Sequence, residues 1–207
     1  AKDHGVHVGP LRVVSEPGAR DGGLTVVPLQ SSYHSGWDKE PDLVDPAYVE
    51  VEHAVPFARK WGDFLQCSWP GIVSHEEFAS ITRNSMALSN AFASLNVAYL
   101  SNPAFREATQ CDTVLSFSHF VPRQELCPEK RFLLEPSLAK VIGSDVLEGQ
   151  IRDLMPQLHM FGHTHIPIDL TLDSVRYLQW PLGYQREADK QCKPIFASGP
   201  LLVYDSS

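Results

Sequence analysis

Two histidines one residue apart, His163 and His165, follow an apolar run and a glycine in Met160-Phe161-Gly162-His163-Thr164-His165. Imidazole is neutral at pH 7 and is a borderline-soft donor, so it suits zinc, iron, manganese or nickel. In an extended segment side chains repeat with a period of two, so both rings are expected to point the same way and serve one metal or two neighbouring ones. Gly162 is expected to supply a sharp backbone turn and to keep side chains away from the metals. A third histidine, His119, lies in Ser116-Phe117-Ser118-His119-Phe120, also just past an apolar run. A lone His-x-His arises often by chance, so on the residues alone a metal site and an incidental pair both stand open.

These histidines need strands that deliver them to one place. Thr113 to Phe117 reads as a buried strand, and Leu158 to Phe161 as another ending at Gly162. In open α/β sheets ligands bind beyond the carboxyl ends of the strands, where both histidine segments fall. Leu11–Ser15 and Leu24–Leu29 read as strands joined by a turn over Pro17–Gly23. Ser31–Asp42 is a polar, aromatic loop too long for a simple hairpin turn. Helical spacing runs from Val73 to about Ala98, carried by Phe78, Ile81, Met86, Leu88, Phe92 and Leu95, with Ser74 and Glu77 as a capping box. Ser144 to Met155 is a second helix, capped by Ser144 and stopped before Pro156. Ile168–Leu172 and Val175–Trp180 flank Asp173-Ser174 as a hairpin, and Pro194–Asp205 adds one or two strands. The sum is an α/β protein with mixed sheets.

Composition narrows the function classes. The 207 residues carry a formal net charge of -8, which argues against a broad grip on nucleic acid or an acidic membrane surface. No stretch approaches the ~20 apolar residues of a membrane helix. Cys67, Cys111, Cys127 and Cys192 are widely spaced, which fits free thiols in a reducing, cytoplasmic compartment rather than a disulfide framework or zinc knuckle.

The sequence resembles the calcineurin-like metallophosphoesterase superfamily. The last two motifs of that superfamily are matched by Ser118-His119 and by Gly162-His163-Thr164-His165. The run Phe117 to Leu126, Val27-Pro28-Leu29, Tyr33-His34 and Trp37-Asp38-Lys39-Glu40-Pro41-Asp42 resemble a eukaryotic and algal branch. The resemblance spans nearly the whole chain, so residues 1–207 are expected to be a single partial domain.

It implies a four-layer α/β/β/α sandwich with mixed sheets and the N-terminal part missing. Its first three motifs, Asp-x-His, Gly-Asp-x-x-Asp and Gly-Asn-His-Asp/Glu, are absent from the sequence, and the catalytic histidine with them. By the match, His119 and His163 bind one divalent transition metal and His165 a second, the ions being Mn, Fe, Zn, Ni or Co. The implied activity is hydrolysis of a phosphomonoester, phosphodiester or pyrophosphate by metal-activated water, with a small-molecule or other phosphate ester as substrate. The alternative is a non-catalytic scaffold that keeps the fold without the metals. A chain lacking its early strands is expected to expose sheet edges and be poorly soluble alone.

Other residues are candidates from chemistry alone. The guanidinium of Arg123 has the fork that clamps a phosphate oxygen, and an ion pair with Glu125 or Glu129 fits it equally. His34 stands to line the pocket or act as an acid, or else to be a hydrogen-bonded loop histidine. Tyr184, Arg186 and Glu187 are placed to edge the site. His159, inside an apolar strand, reads as a satisfied core histidine rather than a ligand.

Overall fold

The computed structural model describes residues 5, 7–13, 22–42, 57–78, 86–184 and 199–205. Pro17–Asp21 of the expected turn over Pro17–Gly23 lie outside them, as do Ile81, Arg186, Glu187, Cys192 and the start of the strand region at Pro194. The chain divides into two compact units, one of residues 1–30, 94–119 and 149–207, the other of 31–93 and 120–148.

The first unit holds a six-stranded mixed sheet. Its strands are β1 (Leu11–Val13), β2 (Leu24–Pro28), β3 (Thr113–Phe117), β4 (Leu158–Met160), β5 (Ile168–Leu172) and β6 (Val175–Gln179), in the order β1-β2-β3-β4-β6-β5. The four inner strands run parallel, and β1 and β5 close the edges antiparallel. This is an α/β fold with a mixed sheet, as the interleaved strand and helix patterns predicted.

The two faces of this sheet differ. Registered pairs share a face, so Val27, Ser116, His159 and Tyr177 project to one side, and all four are buried. The other side centres on Leu115, Leu158 and Leu178, with Leu24, Met160, Trp180, Val203 and Tyr204 packed against them. Residues 199–205 form no strand, so the strand expectation at the chain's end is not met there. Val203 and Tyr204 thus reach this packing from an irregular segment.

The β5–β6 hairpin turns at Asp173 and Ser174, with φ of 47° and 70°. Two positive φ values in a two-residue loop are the type I′ geometry, whose backbone twist matches that of the strands. Serine in the left-handed region costs about 1–2 kcal/mol. Ser174→Gly is therefore expected to stabilise the protein by about 0.5–1 kcal/mol, after the extra freedom of the unfolded chain is set against the gain. Thermal unfolding reads this directly, and an unchanged or lowered Tm would sink it.

Six helices are described: α1 (Phe57–Lys60), α2 (Gly62–Gln66), α3 (His75–Phe78), α4 (Ala87–Leu100), α5 (Pro103–Thr109) and α6 (Asp145–Leu154). The single helix expected from Val73 to Ala98 is thus α3 and α4, with residues 79–85 outside the described part. Ser144 caps α6 as expected, its Oγ accepting from the Leu147 N–H at 3.4 Å. The helix ends at Leu154, where Pro156 forbids continuation and Met155 turns to φ 49°. Among the described residues no helix is long and apolar enough to cross a membrane.

In the second unit, buried polar contacts organise the 31–42 loop. A 3-10 turn at Ser35–Trp37 buries Trp37 against Gly143, where any Cβ would collide with the indole. Beyond it, Lys130 Nζ meets Asp38 Oδ2 at 2.6 Å and Asp42 Oδ1 at 2.9 Å. Lys140 Nζ reaches the same two carboxylates at 3.0 and 2.8 Å. The Lys130 and Asp38 side chains are 2% and 0% exposed. The loop that looked polar in sequence supplies both carboxylates of an ionic cluster whose centre, Asp38 with Lys130, is buried.

Candidate functional site

Strands β3 and β4 are adjacent and parallel, with Phe117 registered against Met160. The segments leaving their carboxyl ends therefore start side by side. Two backbone bonds tie them: Ser118 N–H donates to the Met160 carbonyl at 3.0 Å, and Gly162 N–H donates to the His119 carbonyl at 3.1 Å. Beyond these ties the rings of His119 and His163 meet edge to face, centroids 5.0 Å apart at 79°. Nε2 of His119 and Nδ1 of His163 are 3.0 Å apart. His119 is exposed and His163 partly so, and the pair opens to solvent.

The local backbone differs from the sequence expectation. His163 and His165 have φ of 73° and 56°, so both sit in the left-handed region rather than in an extended segment. Histidine tolerates that region better than most residues, at a cost of about 1–2 kcal/mol each. Gly162 itself has no positive φ, and a Cβ there would make only ordinary contacts with His119, at 3.6 Å or more. The turn chemistry assigned to the glycine is carried by the histidines.

As a result the two rings of the His-x-His pair take different neighbours. His165 packs edge-on against Tyr184, centroids 5.0 Å apart at 67°. Among the described residues no three of His, Cys, Asp and Glu gather as a metal-holding group. The structure brings His119 and His163 together, and His165 lies with Tyr184 instead.

One positioning contact carried no signal in the sequence. Gln179, 1% exposed at the end of β6, donates from Nε2 to Thr164 Oγ1 at 2.7 Å and to the Ile166 carbonyl. A glutamine at the end of an apolar strand reads as a surface residue until the loop it holds is seen.

His159 is a satisfied core histidine. Its Nδ1 lies 2.8 Å from Ser116 Oγ and its Nε2 3.1 Å from Ser118 Oγ. Complete burial pushes its pKa down to about 3, so the ring is neutral at ordinary pH. A neutral imidazole has one N–H and one lone pair, so it donates to one serine and accepts from the other.

Arg123 and His34 belong to the second unit and are each engaged there. Arg123 is 9% exposed, with Nη2 2.8 Å from Glu125 Oε1 and Nε 3.5 Å from Glu148 Oε1. Of the two readings left open for it, the structure shows the ion pair, with Glu148 rather than Glu129 as the second carboxylate. His34 is buried, and its Nε2 accepts from the backbone N–H of Asp145 at 3.4 Å, at the first turn of α6. It is hydrogen-bonded in its loop.

No protein-family model matches the chain, and no curated protein matches it in sequence. Among solved structures, the phosphopantetheinyl hydrolase PptH from Mycobacterium tuberculosis is similar at 19% identity with a TM-score of 0.45. The match covers 87% of this chain and 56% of that one. The chain thus spans little more than half the length of that structure, and a likeness this distant carries no argument about chemistry.

Proposed function

We propose that His119 and His163 hold one divalent transition metal of a phosphoesterase centre of the calcineurin-like type, with His165 serving a second. The observation that supports this is the convergence of His119 Nε2 and His163 Nδ1 to 3.0 Å beyond the carboxyl ends of adjacent parallel strands. Two imidazole nitrogens bound to one metal at about 2.0–2.1 Å, at angles between square and tetrahedral, lie roughly 2.8–3.4 Å apart. With no ion between them the rings share an N–H···N hydrogen bond at that distance, and the same spacing suits two ligands of one ion.

The fit is that of a partial ligand set. Catalytic metals take three or more protein ligands, so two nitrogens at one ion and one at another leave positions open for further donors. A bound ion of this kind supplies Lewis-acid polarisation of phosphoryl oxygens and lowers the pKa of its water. What these residues contribute is neutral donation. Imidazoles add no negative charge, so the cation's charge stays available to a phosphate ester. The substrate class is a phosphomonoester, phosphodiester or pyrophosphate, and the accompanying architecture is the four-layer α/β/β/α sandwich. The reading gives no weight to Arg123 or His34, whose polar groups already have partners.

The test is turnover of p-nitrophenyl phosphate and its bis ester by the full-length protein, with added Mn²⁺ and with chelator. Metal-dependent turnover that falls on the order of 10²-fold or more in His163→Ala is the expected result. No turnover with any of Mn, Fe, Zn, Ni or Co, together with no metal by elemental analysis, would replace this reading by the non-catalytic scaffold.

A further inference from the structure

We infer that Gln179 is the positioning residue of the His-Thr-His loop, its buried amide clamping Thr164 and Ile166 so that His163 is presented to His119. The consequence for metal binding rests on the reading proposed above; the clamp itself does not.

The loop has a reason to need a clamp. With His163 at φ 73° and His165 at φ 56°, two non-glycine residues out of three are left-handed. Such a backbone persists only where its surroundings over-determine it. Within the loop, Thr164 N–H donates to the Gly162 carbonyl at 3.0 Å, a local bond that travels with the segment rather than anchoring it. Gln179 comes from another strand, and its two acceptors, Thr164 Oγ1 and the Ile166 carbonyl, lie on either side of His165. The first of them is the residue next to His163.

The position of Gln179 makes the clamp rigid. It projects to the same side of the sheet as Tyr177, which is registered against His159 on the fully buried face. Its other amide atom, Oε1, has no hydrogen-bond partner among the described residues. The two donated bonds are therefore what this buried amide contributes. A leucine would fill the same space and remove the donor to the Thr164 hydroxyl and the Ile166 carbonyl, releasing the loop from β6.

The experiment compares wild type, Gln179→Leu and the buried control Val27→Ala in the full chain. Histidine ring signals are read by ¹H–¹³C NMR in metal-free protein, and Co²⁺ affinity by visible absorption. Val27 is fully buried on β2, with β3 and β4 standing between it and β6, so it reports general loosening of the sheet. In Gln179→Leu the His163 and His165 ring signals are expected to shift and broaden, and Co²⁺ affinity to fall about 10–100-fold. Val27→Ala should lower the Tm and leave both readouts near wild type. Ring signals in Gln179→Leu that match wild type would overturn the inference, whatever the Co²⁺ result. If wild type takes up no Co²⁺ while Gln179→Leu still disorders the ring signals, the clamp stands and the metal reading falls.

Discussion

Lys130→Met is expected to lower the free energy of unfolding by about 3 kcal/mol, at the low end of the roughly 3–5 kcal/mol cost of breaking a buried ion pair. The cost comes from what is left behind. Asp38 has a side chain with no exposure, and it loses a 2.6 Å partner that no water can replace. Lys140, 3.0 Å from the same oxygen, remains and limits the damage. The variant also removes the donor to the Glu40 carbonyl and one of the two lysines on Asp42. Urea unfolding measures the change, and a loss below about 1 kcal/mol would show the cluster to be mere decoration. Lys39→Met provides the contrast. Its pair with Asp145 has the same chemistry at 3.0 Å, but the side chains are 60% and 44% exposed. Screened by water, that pair should be worth under about 1 kcal/mol.

The second large effect is an acid-side loss of stability centred on His159. In the folded protein its pKa is about 3, against an ordinary 6.5. Between those values the unfolded chain binds a proton that the folded one refuses. Stability should therefore be flat above about pH 6.5 and fall by up to about 1.4 kcal/mol per pH unit as pH drops towards 3. Carboxylates push in the same direction over a lower range. Asp112 is held below the usual carboxylate value by its bonds from Arg12 and Thr25, and Asp169 by Arg176. Their contributions are present above about pH 4 and vanish below it. The span from pH 4.5 to 6.5 lies above most of the carboxylate range, and the His159→Gln difference over it singles out this histidine. His159→Gln keeps an amide that can bond the two serines and does not titrate. Its stability should lose this slope relative to wild type over that span, and parallel profiles would refute the assignment.

Much of the fold was legible because its signals are local. Thr113–Phe117 is an apolar run with nowhere to go but a sheet interior, and Ser144 and Pro156 bracket α6 by capping and exclusion. Asp173-Ser174 between alternating strands can only be a tight turn. His159 was readable for the same reason, since a histidine flanked by Leu158 and Met160 faces a sheet's interior. The site was half legible. That His119 and His163 come after strands is written in the sequence, and that those strands are neighbours fixes their meeting. The left-handed φ at His163 and His165 was not readable, because nothing in Gly-His-Thr-His tells which residue takes the turn. Gln179 and the Asp38–Lys130 cluster were invisible for another reason. Each depends on a partner brought in by the tertiary fold, and periodicity says nothing about such pairs.

Leu24 pairs in parallel with Thr113, and β4 and β6 follow later in the chain. During synthesis β2 leaves the ribosome long before β3, its parallel partner in the sheet, has been made. Its free edge is then a template for any other extended chain. Pairings this distant are slow to form, so closure of β2 on β3, not the β5–β6 hairpin, should set the pace of folding. Any shortened chain that stops before β3 keeps that edge open for good, and the yield of such pieces would be governed by how long they wait rather than by how stable they are.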